Sequence, residues 1–108
     1  MDAKTRLLYW LLDATKGGPT RVRILKAISG KPMNLRKLAL ALGMDYKTVQ
    51  GHLKLLMENG IIYTPKMGYG SVYFISPEWE ENEYLKEILG GSKNEGGKGG
   101  RKGKRKRK

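Results

Sequence analysis

The sequence contains no cysteine, one histidine, one phenylalanine and four prolines among its 108 residues. The absence of cysteine excludes disulfides and thiolate metal ligands. No apolar run approaches the ~20 residues that a membrane-spanning helix needs. The first residues mix acidic and basic side chains without a cleavable signal pattern, so we expect a cytoplasmic protein. The length fits one domain with one small core.

Acidic residues are also scarce, with 10 Asp and Glu against 22 Lys and Arg, and the net charge is +12. The charge is divided into three segments. Residues 1–77 carry +8, residues 78–89 carry −4 and residues 90–108 carry +8. Two basic segments predict a polyanionic partner, and we expect the acidic segment to face away from it.

The segment from Met33 to Ile62 contains two short helical patterns joined at a glycine. Asn34 is a favourable N-cap for the first helix, whose apolar stripe is Leu35, Leu38, Ala39 and Leu42. Gly43 occupies the position where a helix ends in a left-handed residue, and Asp45 can cap the second helix. These signals predict a tight turn between two packed helices.

The second helix, predicted over residues 45–59, buries Val49, Leu53 and Leu56 at helical spacing. Its other face is polar, which is typical of the recognition helix of a helix-turn-helix DNA reader. Gln50 can pair with adenine, and Lys47 can donate to guanine. The candidate base-reading residues are Tyr46, Lys47, Thr48, Gln50 and Gly51. Gly51 either lets the backbone approach the duplex closely or is merely tolerated.

Other elements flank this pair. Helical patterns cover residues 2–15 and begin again at Pro19, while residues 61–66 and 71–76 read as strands joined by a glycine-rich tip. A last helix opens at Ser76, and residues 90–108 have almost nothing to bury, so we expect a disordered basic tail. The predicted fold is mainly α with a small β-wing over residues 62–75. It is a winged helix-turn-helix with extra N- and C-terminal helices, in one domain over residues 1–89.

Over residues 1–89 the chain resembles the small archaeal ArsR-type winged-helix regulators, among them the euryarchaeal regulators of archaellum genes. The matching segments are GGPTRVRIL at 17–25, LGMDYKTV at 42–49, HL at 52–53, ENGI at 58–61 and YGSVYFISPE at 69–78. The resemblance implies a homodimer that binds promoter DNA and regulates transcription. We expect it to associate with the nucleoid and to meet the transcription machinery there.

Basic side chains outside the recognition face are candidates for phosphate contacts, which fix register without reading sequence. Some lie at helix starts, where backbone N–H groups favour anions, and others lie on the wing. The candidates are Arg21, Arg23, Arg36, Lys37, Lys54, Lys66 and Tyr69. Arg21 and Arg23 are included because the resemblance places their region near the DNA backbone. Alternatively, the charges are ordinary solvated groups and Tyr69 folds back onto the hairpin.

The first and last helices carry apolar residues beyond what a small core needs, and the resemblance implies that they dimerise. The candidate dimerisation residues are Leu8, Trp10, Leu11, Trp79, Leu85 and Ile88. The alternative is that the two tryptophans are core residues. A dimer would place two recognition helices about 34–36 Å apart and favour a palindromic operator.

Metal-sensing ArsR proteins place cysteines in the helix before the recognition helix, where this chain has Leu35, Leu38 and Leu40. A thiolate sensor is therefore excluded, and we expect neither a metal nor another cofactor. His52 is expected to be packed or capped rather than a ligand, because one histidine without cysteines cannot form a metal site alone. The sequence contains neither a nucleophile–base arrangement nor a phosphate loop, so we do not expect an enzyme.

Two other functions compete with the regulator. The nine Lys and Arg of the tail suit an architectural protein that coats DNA with little sequence preference. A winged helix can also serve as an adaptor for RNA or protein. Defined operator sites would favour the regulator, dependence on the tail would favour the coating protein, and tight binding to structured RNA would favour the adaptor.

Overall fold

The computed structural model of the protein describes residues 2–66 and 70–90. Within them, helix α1 (Ala3–Tyr9) continues into a π-helical segment (Trp10–Ala14), and α2 (Gly18–Gly30), α3 (Leu35–Leu42) and α4 (Tyr46–Glu58) follow. The strands are β1 (Met33–Asn34), β2 (Ile62–Tyr63) and β3 (Val72–Ile75), and the chain closes with α5 (Pro77–Glu80) and α6 (Glu83–Gly90). The disordered tail expected over residues 90–108 is wrong at Gly90, which ends α6, and residues 91–108 lie outside the described residues.

The N-terminal helix begins where its cap predicts. The carboxylate of Asp2 accepts a hydrogen bond from the backbone N–H of Thr5 at 2.7 Å. The helix predicted over residues 2–15 is confirmed over residues 3–14, but its second half is π-helical, which its amphipathic pattern did not indicate. A π-helical turn widens the helix and changes which carbonyls lack an intrahelical donor.

A three-stranded antiparallel sheet forms the wing, with β3 between β1 and β2. Met33 lies opposite Tyr73, and Ile62 lies opposite Ile75. The rings of Tyr63 and Phe74 stack with centroids 5.5 Å apart. The two predicted strands are confirmed in shorter form, whereas β1 is too short to carry an alternating pattern and was not predicted. The helices and this sheet make a winged helix-turn-helix, as the sequence indicates.

The predicted last helix is two helices. α5 ends at Glu80, and Asn82 starts α6 by accepting a hydrogen bond from the backbone N–H of Leu85 at 3.0 Å. Lys4 joins α5 to the first helix, since its ammonium lies 3.0 Å from a carboxylate oxygen of Glu78 and 5.2 Å from the ring centre of Trp79.

One apolar core joins the helices and the sheet, and it contains most of the predicted dimerisation residues. Leu8 and Leu11 are fully buried, Leu85 is 1% exposed and Trp79 is 3% exposed. The prediction that these four residues form a dimer surface is therefore wrong, because their side chains cover the core of their own chain. Trp10 is 51% exposed. Of the predicted set, Trp10 and the half-buried Ile88 remain available to a partner.

No helix in residues 2–66 and 70–90 has both the length and the apolar character that a bilayer crossing requires.

Candidate nucleic-acid interface

Local caps determine where α3 begins and ends and where α4 begins. The side chain of Asn34 accepts a hydrogen bond from the backbone N–H of Lys37 at 2.8 Å and starts α3. Gly43 ends α3 with φ of 66°, a left-handed conformation that favours glycine. Asp45 then starts α4 by accepting from the backbone N–H of Thr48 at 3.0 Å. The predicted caps are confirmed, and they leave two residues, Met44 and Asp45, between the end of the turn and α4.

Asp45 also binds the side chain of Thr48, whose hydroxyl donates to a carboxylate oxygen at 2.6 Å. These two hydrogen bonds, with the side-chain bond contributing most, hold the pKa of Asp45 below its ordinary value. The aspartate therefore stays ionised as an N-cap, near the positive end of the α4 dipole. Because Thr48 donates its hydroxyl proton to Asp45, it can offer a ligand only its methyl group and the lone pairs of the hydroxyl oxygen.

The two faces of α4 differ as predicted. Val49 is fully buried, as is Leu56, and Leu53 is 1% exposed. The opposite face is exposed to solvent. Its exposed residues are Tyr46, Lys47, Thr48, Gln50, Gly51, Lys54 and Glu58. The structure thus brings all five candidate base-reading residues and Lys54 onto one open helix, and the helix predicted over residues 45–59 is confirmed as α4 with its two caps.

A shallow open groove of about 560 Å³ separates this face from the sheet. Lys47, Gln50 and Lys54 line one side of the groove, and Tyr73 of β3 lines the other. Burial, and to a lesser degree the nearby Tyr46, raises the pKa of the Tyr73 hydroxyl. The phenol therefore stays protonated and can donate a hydrogen bond from its side of the groove. Sequence reasoning missed Tyr73, which read only as a strand residue.

Nothing inside the described part of the protein requires glycine at position 51. A Cβ added to Gly51 would meet no atom within 4 Å. Glycine in a helix interior costs about 1 kcal/mol relative to alanine. The reason for this residue therefore lies outside the fold of the monomer, or the residue is only tolerated.

Most of the predicted phosphate-contacting residues lie on the surface. Arg36 and Lys37 are exposed in the first turn of α3, and Lys66 is exposed where the wing leaves β2. Arg23 is exposed and donates from Nη2 to the carbonyl of Leu42 at 2.9 Å, at the C-terminal end of α3. The wing residue Tyr69 lies outside the described residues.

Arg21 is the exception, because its side chain points inward and is only 6% exposed. Its Nε donates to the carbonyl of Leu11 at 2.8 Å, and its Nη2 donates to the hydroxyl of Thr15 at 2.5 Å. Its Nη1 lies 3.2 Å from Nδ1 of His52. The prediction that Arg21 contacts DNA phosphate is therefore wrong. The prediction that His52 is a packed side chain is confirmed.

The signal for the burial of Arg21 was present in the sequence. Arg21, Ile24, Leu25 and Ile28 recur at the i, i+3, i+4 and i+7 positions of one helix face, and all four are buried. An arginine on an apolar stripe is buried when acceptors are available to it. The resemblance, which places this region near the DNA backbone, led to the wrong assignment of Arg21.

Acidic groups gather on α5 and α6, where Lys86 pairs with Glu81 at 3.3 Å and with Glu83 at 3.7 Å. α6 packs against α1 and α2. Within the described residues, no cluster of three or more histidine, aspartate or glutamate side chains could hold a metal ion.

Residues 18–64, from the start of α2 to just past β2, match the family model described as bacterial regulatory protein, arsR family. No curated protein matches the chain significantly. Together with the winged helix-turn-helix fold, the family match supports an ArsR-type transcription regulator that binds DNA.

Proposed function

We propose that the protein is a sequence-specific, double-stranded DNA-binding transcription regulator that inserts α4 into the major groove. One observation carries the proposal: α4 buries an apolar face in the core and presents an unobstructed polar and cationic face to solvent. A major groove about 12 Å wide accepts one helix, and its base edges present distinct donor and acceptor patterns.

Base reading is assigned to the first two turns of α4. Gln50 suits adenine, to which an amide can form two hydrogen bonds, and Lys47 suits the acceptors of guanine. Tyr46 is 49% exposed at the helix start, where it can reach a phosphate or a thymine methyl. Because the hydroxyl of Thr48 is bound to Asp45, Thr48 contributes its methyl group. Gly51 allows the helix backbone to approach the duplex.

Phosphate contacts are assigned to the cations around this face. Arg36 and Lys37 sit beside the N–H groups that open α3, and Lys54 lies one turn beyond the base-reading residues. Lys66 leads into the wing, which would lie along the minor groove or the backbone. Arg23 can reach phosphate from the end of α3 that it caps.

A homodimer would present two α4 helices to two half-sites about 34–36 Å apart. Trp10, with neighbouring Tyr9 at 44% exposure, supplies an aromatic surface on the N-terminal helix that the monomer does not cover. Ile88 of α6 is half-buried. We propose that the dimer buries Trp10, in a smaller apolar patch than the sequence suggested.

Selection of bound genomic fragments tests the proposal. We expect an inverted-repeat site, with affinity lost by at least tenfold, or about 1.4 kcal/mol, when Lys47 and Gln50 are both replaced by alanine. Lys86→Ala is the matched control, since it removes one charge from the acidic surface of α6. Uniform binding across sequences, or unchanged operator affinity of the double variant, would contradict the proposal.

The tail favours a second candidate, an architectural protein that coats DNA. Residues 90–108 carry nine Lys and Arg, and counterion release would make their contribution independent of sequence and steeply dependent on salt. This function predicts that removal of residues 91–108 abolishes most binding and that Gln50→Ala changes little. The regulator predicts the reverse ranking, with the shortened chain still selecting the operator.

We further propose that the chain acts without an enzymatic activity or a cofactor, and that its place in the cell is with the DNA. The narrower resemblance, to archaeal regulators of archaellum genes, stays a prediction. The identity of the genes beside the selected fragments tests it, because motility genes should recur among them.

A further inference from the structure

The buried guanidinium of Arg21 has no carboxylate partner among the described residues. Its acceptors are a backbone carbonyl of the π-helical segment, a threonine hydroxyl in the following turn and a ring nitrogen of His52 on α4. These acceptors belong to three separate parts of the chain. Arg21 therefore connects the N-terminal helix, α2 and α4 through hydrogen bonds to neutral groups.

The first two acceptors lie where a helix ends. Leu11 is within the last four residues of the π-helical segment, whose carbonyls lack the donors of a continuing helix. Nε of Arg21 supplies a donor at 2.8 Å, and Thr15 adds a longer hydrogen bond at 3.4 Å to the same carbonyl. Two guanidinium nitrogens of Arg21, Nε and Nη2, are thus bound to the end of the N-terminal helix, and the third, Nη1, faces α4.

The contact with His52 defines the state of the imidazole ring. Arginine donates and does not accept hydrogen bonds, so Nδ1 of His52 must be the acceptor. An accepting Nδ1 requires a neutral ring with its proton on Nε2. Protonation would place a second positive charge 3.2 Å from the guanidinium and remove the acceptor.

The turn before α2 leaves room for this contact and for little else. A Cβ on Gly17 would lie 2.6 Å from Nη1 of Arg21 and 2.9 Å from Cε1 of His52. A Cβ on Gly18 would lie 2.5 Å from the carbonyl oxygen of Leu12. All three distances are shorter than real side-chain contacts allow. Gly17 therefore lets the turn lie close to Arg21 and His52, and Gly18 lets it lie close to the backbone of the π-helical segment.

We propose that Arg21 and His52 are positioning residues for the recognition helix, and that their contact holds α4 in its DNA-reading orientation only while His52 is neutral. This inference rests on the proposed function. His52 follows Gly51 directly and lies two residues after Gln50, so a shift of the ring moves the base-reading residues with it. Neither Arg21 nor His52 touches DNA in this scheme; both act through the placement of α4.

The electrostatic surroundings support the neutral form. Burial, and secondarily the charge of Arg21, lowers the pKa of His52 below its ordinary value of 6.5. Among the described residues Arg21 is the charged group that acts on the ring. The charged groups on the neighbouring elements either bind another side chain or face solvent. Asp13 of the π-helical segment accepts a hydrogen bond from the hydroxyl of Tyr84. The side chains of Lys16, Lys47 and Lys54 are exposed.

The sign of the pH effect separates this scheme from an ordinary surface histidine. A histidine near DNA phosphates gains a proton on binding, so affinity rises as the pH falls. In the present scheme the DNA-bound form excludes the proton, so affinity falls as the pH drops below the pKa of His52 in the free protein. The loss is about tenfold for each unit by which the pKa in the complex lies below that in the free protein.

Two measurements on the full chain test the inference. Because His52 is the only histidine, an NMR titration of the imidazole nitrogens gives its tautomer and pKa without ambiguity. We expect the Nε2–H tautomer and a pKa below 6.5, which Arg21→Gln should raise. The second measurement is affinity for the selected operator between pH 8 and pH 5 at constant ionic strength. We expect a decline of roughly tenfold for the natural sequence and a flat profile for His52→Gln.

The outcomes are distinct. A proton on Nδ1, a pKa at or above 6.5, or an affinity that rises on acidification overturns the inference. Persistence of the pH profile in His52→Gln also overturns it, because another group must then be responsible. Absence of DNA binding at every pH overturns the proposed function and with it the coupling to DNA, while the titration still decides whether the Arg21–His52 contact exists. If Arg21→Gln does not fold, His52→Gln retains the test.

Discussion

At the scale of single residues, two glycines with opposite surroundings are informative. Gly17 is crowded by the side chains of Arg21 and His52, whereas Gly51 is surrounded by open space. The first glycine is explained by packing within the monomer. The second weakens an exposed helix without any compensating contact in the described residues, and a ligand surface at this point would account for it.

Replacement of Gly51 by alanine should therefore separate stability from binding. We expect the free energy of unfolding to rise by about 1 kcal/mol, because alanine is the better helix former, while operator affinity falls severalfold. Denaturant unfolding and a binding titration measure the two effects. Gly30→Ala is the control, since an added Cβ there also meets no atom within 4 Å and the residue lies at the end of α2. Unchanged affinity of Gly51→Ala would show that the glycine is merely tolerated.

The lowered pKa of His52 also predicts how the free energy of unfolding depends on pH. Its pKa in the folded protein is lowered, so the unfolded chain takes up the proton first as the pH falls. The contribution of the neutral ring is complete above the ordinary pKa of 6.5, decreases below that value and levels off below the folded-state pKa. Urea unfolding at several pH values should show this decrease, and His52→Gln should remove it. A free energy of unfolding that rises on acidification through this range would contradict the assignment.

At the scale of elements, the helix-turn-helix could be read from the sequence because its signals are local. Asn34, Gly43 and Asp45 each act within one helical turn of their own position. The inward spacing of Val49, Leu53 and Leu56 depends only on the helical period. The two-residue strand β1 could not be read in this way, because its pairing with β3 joins residues about 40 positions apart.

The cap of α3 gives a prediction at this scale. Asn34→Ala removes the acceptor for the backbone N–H of Lys37 and should lower the free energy of unfolding by about 1 kcal/mol. Asn34→Asp keeps an acceptor and should retain most of the stability. Thermal unfolding followed by circular dichroism compares the three proteins. Equal destabilisation by both substitutions would show that the side-chain amide, rather than the cap, matters.

The residues of the candidate site also divide into those that a local pattern positions and those that the tertiary fold positions. The polar face of α4 follows from its own helical period, whereas the partners of Arg21 lie 10 and 31 residues away. The tertiary fold alone brings them together. Tyr73 is a similar case, since its position opposite α4 depends on the order of strands in the sheet. The sequence therefore predicted the residues that one helix positions and missed those that several elements position jointly.

At the scale of the whole molecule, the sequence allowed two interpretations of the apolar residues in the first and last helices, a dimer surface or the core of the monomer. Their pattern shows that these helices bury a face, but it does not show whether the partner is the same chain or a second copy. The fold assigns Leu8, Leu11, Trp79 and Leu85 to the monomer core. Trp10 is left as the main candidate for an intermolecular contact.

Substitution of Trp10 should reveal the dimer. We expect Trp10→Glu to raise the dimer dissociation constant by at least about tenfold, or 1.4 kcal/mol, because it places a charge in an apolar interface. Sedimentation equilibrium measures the constant. Leu40→Glu is the matched control, because Leu40 is 75% exposed on α3 and lies outside the proposed patch. Dissociation caused by Leu40→Glu rather than Trp10→Glu would assign the interface to α3 instead.

The fluorescence of the two tryptophans can be used to follow the self-association and the unfolding of this chain. Trp79 is enclosed, with Nε1 lacking an acceptor among the described residues, whereas Trp10 faces solvent. Emission from Trp79 should be blue-shifted and shielded from a dissolved quencher, and emission from Trp10 should be red-shifted and accessible. Shielding of Trp10 that grows with protein concentration would report self-association, and a later loss of shielding at Trp79 would report unfolding.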